Sequence, residues 1–107
     1  MSPELLNKAA GCYLAAGLPD DACRCLELLG DHAGAARLHE EARRWTQAAA
    51  CYQRAEQWWL AARCHLRAGR PLEAADDLVR AGEHVEAAWV LANAARRSLE
   101  SGQVASL

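Results

Sequence analysis

The sequence predicts an all-α fold of about seven short helices, and three observations support that prediction. Residues that favour strands are nearly missing, since the 107-residue chain has no Phe, no Ile and only four Val. Ala and Leu, both strong helix formers, occur 25 and 15 times. Ala also recurs every 13 residues from Ala9 to Ala87. A β-sandwich, a β-barrel and a parallel α/β sheet are therefore disfavoured.

Each 13-residue unit has the pattern of one helix followed by one tight turn. Seven units align between Ala9 and Leu99, and every unit opens with Ala. Apolar or small residues occupy positions 1, 4, 5 and 8 of the unit, which is the spacing of one helix face. Most charged residues fall at positions 3, 6, 7 and 10. The unit therefore predicts an amphipathic helix.

Turn residues indicate where each helix begins and ends. Gly follows the last apolar position in four units, where it can take the positive φ that stops a helix. These stops, for the first, second, fifth and sixth helices, are Gly17, Gly30, Gly69 and Gly82. Pro19 and Pro71 suit the first turns of the second and sixth helices, and the period alone places the third and fourth. In chain order the predicted helices are 3–16, 19–29, 32–42, 45–55, 58–68, 71–81 and 84–100.

Successive units pair into hairpins. Turns this short require neighbouring helices to run antiparallel. Position 11 alternates between two sets of residues, Pro19, Trp45 and Pro71 in one and His32, Trp58 and His84 in the other. The larger repeat is therefore a helical hairpin of 26 residues. Stacked hairpins predict an α-solenoid.

The residue spacing within the hairpins resembles the tetratricopeptide repeat (TPR), with its order Tyr, Gly, Glu-Ala, aromatic, Ala. Two stretches carry the resemblance, namely Tyr13, Gly17, Asp21, Ala22, Leu26 and Leu29, then His65, Gly69, Glu73, Ala74, Leu78 and Ala81. That family repeats every ~34 residues, whereas this unit has 26. The resemblance implies a right-handed α-α superhelix that serves as a non-catalytic platform for other polypeptides. We expect one such domain over residues 1–100 and a frayed tail over 101–107.

Charge and hydropathy limit the partners and the compartment. The net charge is −2, so no strong positive field attracts nucleic acid or anionic lipid. No stretch approaches the ~18 uncharged apolar residues of a membrane span. The N-terminus, Met1 to Glu4, carries an acid and no apolar signal region. We therefore predict a cytoplasmic protein with neither a nucleic-acid nor a membrane partner.

Five cysteines and four histidines raise the question of metal or redox chemistry. Core packing explains most of the cysteines, because four share position 4 on the apolar face, namely Cys12, Cys25, Cys51 and Cys64. Packed helices lie about 8–10 Å apart, so residues in one column of separate helices are poorly placed to share a zinc ion. Common nucleophile and phosphate-binding motifs do not occur. We predict no catalytic residue, no metal and no cofactor; a thiol or metal sensor using Cys23, Cys25, Cys64 and His65 is a weaker alternative.

Asp77 departs from the pattern, because it occupies position 4, a column that is otherwise apolar. A buried carboxylate needs a partner. The sequence allows two interpretations. In the first, Asp77 pairs with Arg80 on the same helix; in the second, it lies where the array opens to solvent. Both assign it a structural role.

Two functions fit this architecture. The first is a protein-interaction scaffold that captures a peptide or partner protein along one helix layer. Trp and Arg are the residues most often found as interface hot spots. The predicted partner-binding residues are Arg37, Arg63, His65, Arg67, Trp58, Trp59 and Trp89. The alternative is a structural segment of a larger solenoid that forms homo-oligomers through its end helices, since no helix follows Trp89 to cover it.

Overall fold

Seven α-helices follow one another in the computed structural model, which describes residues 2–102 of the chain. No strand occurs within that range. The all-α prediction is confirmed, and every predicted helix is matched to within one residue at both ends. The helices are α1 (Pro3–Ala15), α2 (Pro19–Leu29), α3 (His32–Glu41), α4 (Trp45–Arg54), α5 (Trp58–Arg67), α6 (Pro71–Arg80) and α7 (His84–Glu100). Of the predicted tail, Ser101 and Gly102 form a turn, and 103–107 lie outside the described residues.

Local sequence explains where several helices begin. Pro19 and Pro71 take the first positions of α2 and α6, where the missing N–H costs no hydrogen bond. The Ser2 side chain caps α1. The Asp31 carboxylate caps α3 by accepting a hydrogen bond of 2.9 Å from the Gly34 N–H. These side chains satisfy backbone donors that the helix itself leaves without partners.

The six turns between the helices share one backbone shape. One residue in each turn has a φ between 57° and 81°, in the left-handed region. The next residue then donates its N–H to a carbonyl five residues earlier, as Leu18 does to Tyr13 at 2.8 Å. Glycine fills the left-handed position in four turns, but Arg43 and Glu56 fill it after α3 and α4. These two turns therefore have the same shape as the others, although a positive φ is unfavourable for a residue that carries a Cβ atom.

Each helix packs mainly on the helices before and after it, so the array is elongated and measures 54 × 28 × 17 Å. Alanine at position 1 keeps neighbouring helices close, because it adds only a methyl group to the contact. From α2 to α6 these alanines have no exposed surface, and they are Ala22, Ala35, Ala48, Ala61 and Ala74. The described chain is thus an α-solenoid of stacked helices.

The two ends of the array expose columns that are buried elsewhere. Position 4 faces the preceding helix, and Cys12 is exposed because no helix precedes α1 in the described residues. The prediction that Cys12 is buried is therefore wrong. Positions 2 and 5 face the following helix, so Leu78 in α6 is 4% exposed but Leu91 in α7 is 40% exposed. Ala88 is likewise exposed, although the equivalent Ala75 is buried.

Candidate functional site

Five of the seven predicted partner-binding residues line two grooves on the same layer of the array. The odd-numbered helices form this layer. One groove runs between α3 and α5, and the other runs between α5 and α7 with Leu78 of α6 on its floor. The five residues are Arg37 and Arg67 in the first groove and Trp59, Arg63 and Trp89 in the second.

The groove between α5 and α7 is aromatic and apolar. Trp59 on α5 is 53% exposed and Trp89 on α7 is 67% exposed. Leu66 is exposed between them, and Arg63 and Glu86 add charge to the lining. Exposed tryptophans beside apolar side chains are typical of protein-interface anchors. We call the surface formed by Trp59, Leu66 and Trp89 the tryptophan groove.

The groove between α3 and α5 is lined mainly by charged side chains, and arginines in it and beside it contact neighbouring side chains. The Arg67 guanidinium lies 5.0 Å from the centroid of the Trp45 ring, within the range of a cation–π contact. Arg63, which lines the tryptophan groove, donates a hydrogen bond of 2.8 Å to Glu40 of this groove. Arg37 is exposed. The lining also includes Glu40 and Glu41, so the groove presents charges of both signs.

The other two predicted residues do not line these grooves. Trp58 is half-buried, and the Arg80 guanidinium covers its ring at 4.9 Å from the centroid. His65 is only 7% exposed, and its Nδ1 lies 2.6 Å from Oδ2 of Asp77. The imidazole of His65 is thus part of the interior of the array, because position 5 faces the following helix.

Asp77 has neither of the two predicted environments. It is 1% exposed, so it does not lie at an opening to solvent, and Arg80 instead covers Trp58. Its carboxylate accepts a hydrogen bond of 2.8 Å from Nε2 of Gln53 and contacts the His65 ring from the other side. The reason is geometric: position 4 of α6 faces inward onto α5 and reaches α4 beyond it.

This contact set belongs to a pattern that sequence reasoning missed. Position 6 of one helix, position 5 of the next and position 4 of the third meet inside the array, so their residues are spaced by 12. We call each such set a diagonal triad. The three central triads are polar, namely Glu27, His39 and Cys51; Glu40, Tyr52 and Cys64; and Gln53, His65 and Asp77. The same spacing gives apolar triads on either side, Leu14, Leu26 and Leu38, then Leu66, Leu78 and Val90.

The middle polar triad is organised around the Glu40 carboxylate, which accepts hydrogen bonds from Tyr52 and Arg63. Burial alone raises the pKa of Glu40, but these hydrogen bonds outweigh it and lower the pKa on balance. Burial and the hydrogen bond to Glu40 raise the pKa of Tyr52 to about 12. Burial also raises the pKa of the Cys64 thiol to about 11. Cys64 is therefore a protonated core thiol near neutral pH.

The first polar triad brings together three side chains that can ligate a metal. One ligand atom each from Glu27, His39 and Cys51 lies within 4.8 Å of the other two. The Cys51 thiol donates a hydrogen bond of 3.4 Å to Oε1 of Glu27. The Nδ1 atom of His39 is buried and has no hydrogen-bond partner among the described residues. These three residues come from three different columns, so the spacing that separates residues of one column does not keep them apart.

A scan against models of protein families and searches of curated proteins and of solved structures found no significant match to this chain. Among the described helices, none combines the length and the apolar character needed to span a bilayer.

Proposed function

We propose that this chain is a non-catalytic, TPR-like scaffold that binds a peptide or partner protein in the tryptophan groove. The exposure of Trp59 and Trp89 on opposite sides of one groove carries the proposal. Tryptophan supplies large contact area, and its burial by a partner dominates many interfaces. Leu66 and Val90 between the rings would accept apolar side chains of the partner.

The chemistry of the surface defines the partner further. The layer that carries the groove also carries Arg37, Arg63 and Arg67. We expect a polypeptide with apolar residues for the tryptophan groove and charged residues of both signs for the groove beside it, where Glu40 and Glu41 accompany Arg37 and Arg67. The net charge of −2 argues against nucleic acid and anionic membranes as partners. All five cysteines are free thiols, which is typical of a reducing, cytoplasmic setting.

A displayed library of random peptides, selected on the immobilised chain, tests this proposal. Affinities of the selected peptides are then measured for Trp89→Ala, Leu66→Ala and a matched control, Leu72→Ala. Leu72 is an exposed leucine on α6, outside the tryptophan groove. We expect losses of about tenfold or more for the two groove variants, as at interface hot spots, and no change for Leu72→Ala. Equal affinity for all three variants, or no enriched peptide, would contradict the proposal.

The exposed columns at the two ends support a second candidate function, self-assembly through the terminal helices. Inside the array, successor-facing positions 2 and 5 pack on predecessor-facing positions 1 and 4. In α7 the successor-facing residues Ala88 and Leu91 are exposed. In α1 the predecessor-facing residue Cys12 is exposed. Stacking α7 of one copy on α1 of the next would bury both. Such a head-to-tail contact generates rings or open chains rather than two-fold symmetric dimers.

Sedimentation velocity over a concentration series, under reducing conditions, tests self-assembly. We expect association of the unmodified chain and loss of association in Leu91→Asp. Leu72→Asp is the matched control, because it places the same charge at an exposed leucine away from the end face. A chain that remains monomeric at all concentrations, or equal effects of the two variants, would refute this function.

A further inference from the structure

The first polar triad differs from the other two central triads in its hydrogen bonds, because one of its side chains has no partner within the triad. In the triad of Gln53, His65 and Asp77, the Nδ1 atom of the imidazole contacts the carboxylate at 2.6 Å. In the first triad, the thiol of Cys51 points at the carboxylate and the buried Nδ1 atom of His39 has no partner among the described residues. An imidazole left without a partner beside a thiol and a carboxylate points to a ligand that bonds to all three.

We propose that Glu27, His39 and Cys51 form a binding site for a divalent transition-metal ion of the zinc type. Carboxylate oxygen, imidazole nitrogen and thiolate sulfur are the three protein ligand types of zinc, with bonds of about 2.0–2.3 Å. Three protein ligands leave a fourth tetrahedral position for water. The site joins α2, α3 and α4, so a bound ion ties three successive helices together.

The distances are close to those that such an ion requires. Bonds of about 2.0–2.3 Å in a tetrahedral arrangement place ligand atoms roughly 3.3–3.7 Å apart. The Sγ of Cys51 and Oε1 of Glu27 are already 3.4 Å apart. The remaining ligand atoms lie within 4.8 Å, so a shift of about 1 Å completes the site. A change of side-chain rotamer in His39 or Glu27 provides a shift of that size.

Protonation states also fit metal binding. Burial, followed by the charge of Arg44, lowers the pKa of His39, so the imidazole is neutral at pH 7 and can donate a lone pair. Cys51 binds the ion as a thiolate, so its S–H bond breaks, its S–metal bond forms and one proton passes to solvent. Because burial raises the pKa of Cys51 to about 11, this proton release weakens the affinity near neutral pH. The guanidinium of Arg54 lies 3.6 Å from Oε1 of Glu27 and competes with the ion for that carboxylate.

Titration of the reduced, chelator-free chain with Co²⁺ and then Zn²⁺ tests the site. We expect one Co²⁺ per chain, a thiolate-to-cobalt charge-transfer absorption, and loss of that absorption when Zn²⁺ displaces the cobalt. Cys51→Ser should abolish the absorption. Glu27→Gln, which copies the residue at the equivalent Gln53, should weaken affinity by tenfold or more with the helical content unchanged.

Cys64→Ser is the matched control, because Cys64 is equally buried and occupies the same column one helix later, but belongs to the middle polar triad and not to the proposed metal site. It should retain the absorption and the stoichiometry. Three results would overturn the proposal: no charge-transfer absorption in the unmodified chain, an absorption that survives Cys51→Ser, or equal losses in Cys51→Ser and Cys64→Ser. Because Glu27 is half-buried and its variant conserves shape, its titration remains decisive even if Cys51→Ser fails to fold.

Discussion

Replacing Asp77 by valine measures how much the third polar triad depends on its carboxylate. Valine is the residue that the next helix carries at the same position, as Val90, so the shape suits this column. The substitution leaves the buried His65 ring and the Gln53 amide without their shared acceptor. Each orphaned group costs about 1–3 kcal/mol, and a broken buried pair costs about 3–5 kcal/mol. We expect Asp77→Val to lower the free energy of unfolding by about 3 kcal/mol.

Changing all three members together should reverse that loss. The triple variant Gln53→Leu, His65→Leu, Asp77→Val installs the apolar triad that Leu66, Leu78 and Val90 form one unit later. No orphaned polar group remains in it. Replacing a buried polar cluster by apolar residues of similar volume is commonly neutral or stabilising by about 1–4 kcal/mol. The triple variant should therefore match or exceed the stability of the unmodified chain.

Urea unfolding followed by circular dichroism provides the assay. With a slope of about 1.5 kcal/mol per molar urea, a loss of 3 kcal/mol lowers the midpoint by about 2 M. The slope itself should stay constant, because the surface exposed on unfolding is nearly unchanged. A dependence of this triad on the carboxylate is refuted if Asp77→Val is as stable as the unmodified chain, or if the triple variant is less stable than the single one.

Three further predictions concern the turns, the middle triad and the thiols. Arg43→Gly and Glu56→Gly should each stabilise the chain by about 1 kcal/mol in urea unfolding, because both residues hold a positive φ; a loss of stability would contradict this. The pKa of Glu40 is lower in the folded chain than in the unfolded chain. The unfolded chain therefore binds more protons in acid, and the free energy of unfolding falls as the pH drops through the folded-state pKa. Glu40→Gln should flatten this acid loss in unfolding curves between pH 5 and pH 3, roughly the range in which carboxyls titrate, and an unchanged pH profile would refute the assignment. Alkylation of the folded, reduced chain should label Cys12 first and Cys51 slowly, because Cys12 is exposed whereas burial raises the pKa of Cys51 to about 11; Cys12→Ser should remove the fast phase, and a fast phase that persists would count against this order.

The helices were predictable because their boundaries depend on local signals repeated at one period. Even the turns at Arg43 and Glu56, which lack glycine, follow from the period of the other four. The exposure of Cys12 was not predicted. The pattern places Cys12 on the apolar face of its helix, but whether that face is buried depends on a preceding helix. The exposure of Trp59 and Trp89 was predictable, because neither residue occupies one of the apolar positions of the 13-residue unit.

The polar interior was harder to predict, because it depends on how much each helix shifts along its neighbour. The period of 13 aligns columns, but the contacts step by 12, one residue less per helix. That offset is a property of the packing, not of any single unit. The sequence pattern therefore offers only Arg80 on the same helix, or solvent, as the surroundings of Asp77, although His65, 12 residues before it, is its partner. Polar residues that recur at a spacing of 12 are the signal that identifies such contacts.

The three polar triads meet in one stretch of chain, since Cys51, Tyr52 and Gln53 are consecutive residues of α4, each in a different triad. Solenoids held only by neighbour contacts can open helix by helix from either end. Here the opening of α2 or α6 must also break a bond to α4 across an intervening helix. Native-state hydrogen exchange should consequently be slowest in α4 and faster toward both termini. On this basis α4 is the last helix to unfold. The groove between α5 and α7 lies nearer the C-terminal end, so it opens at a lower free energy than α4 does.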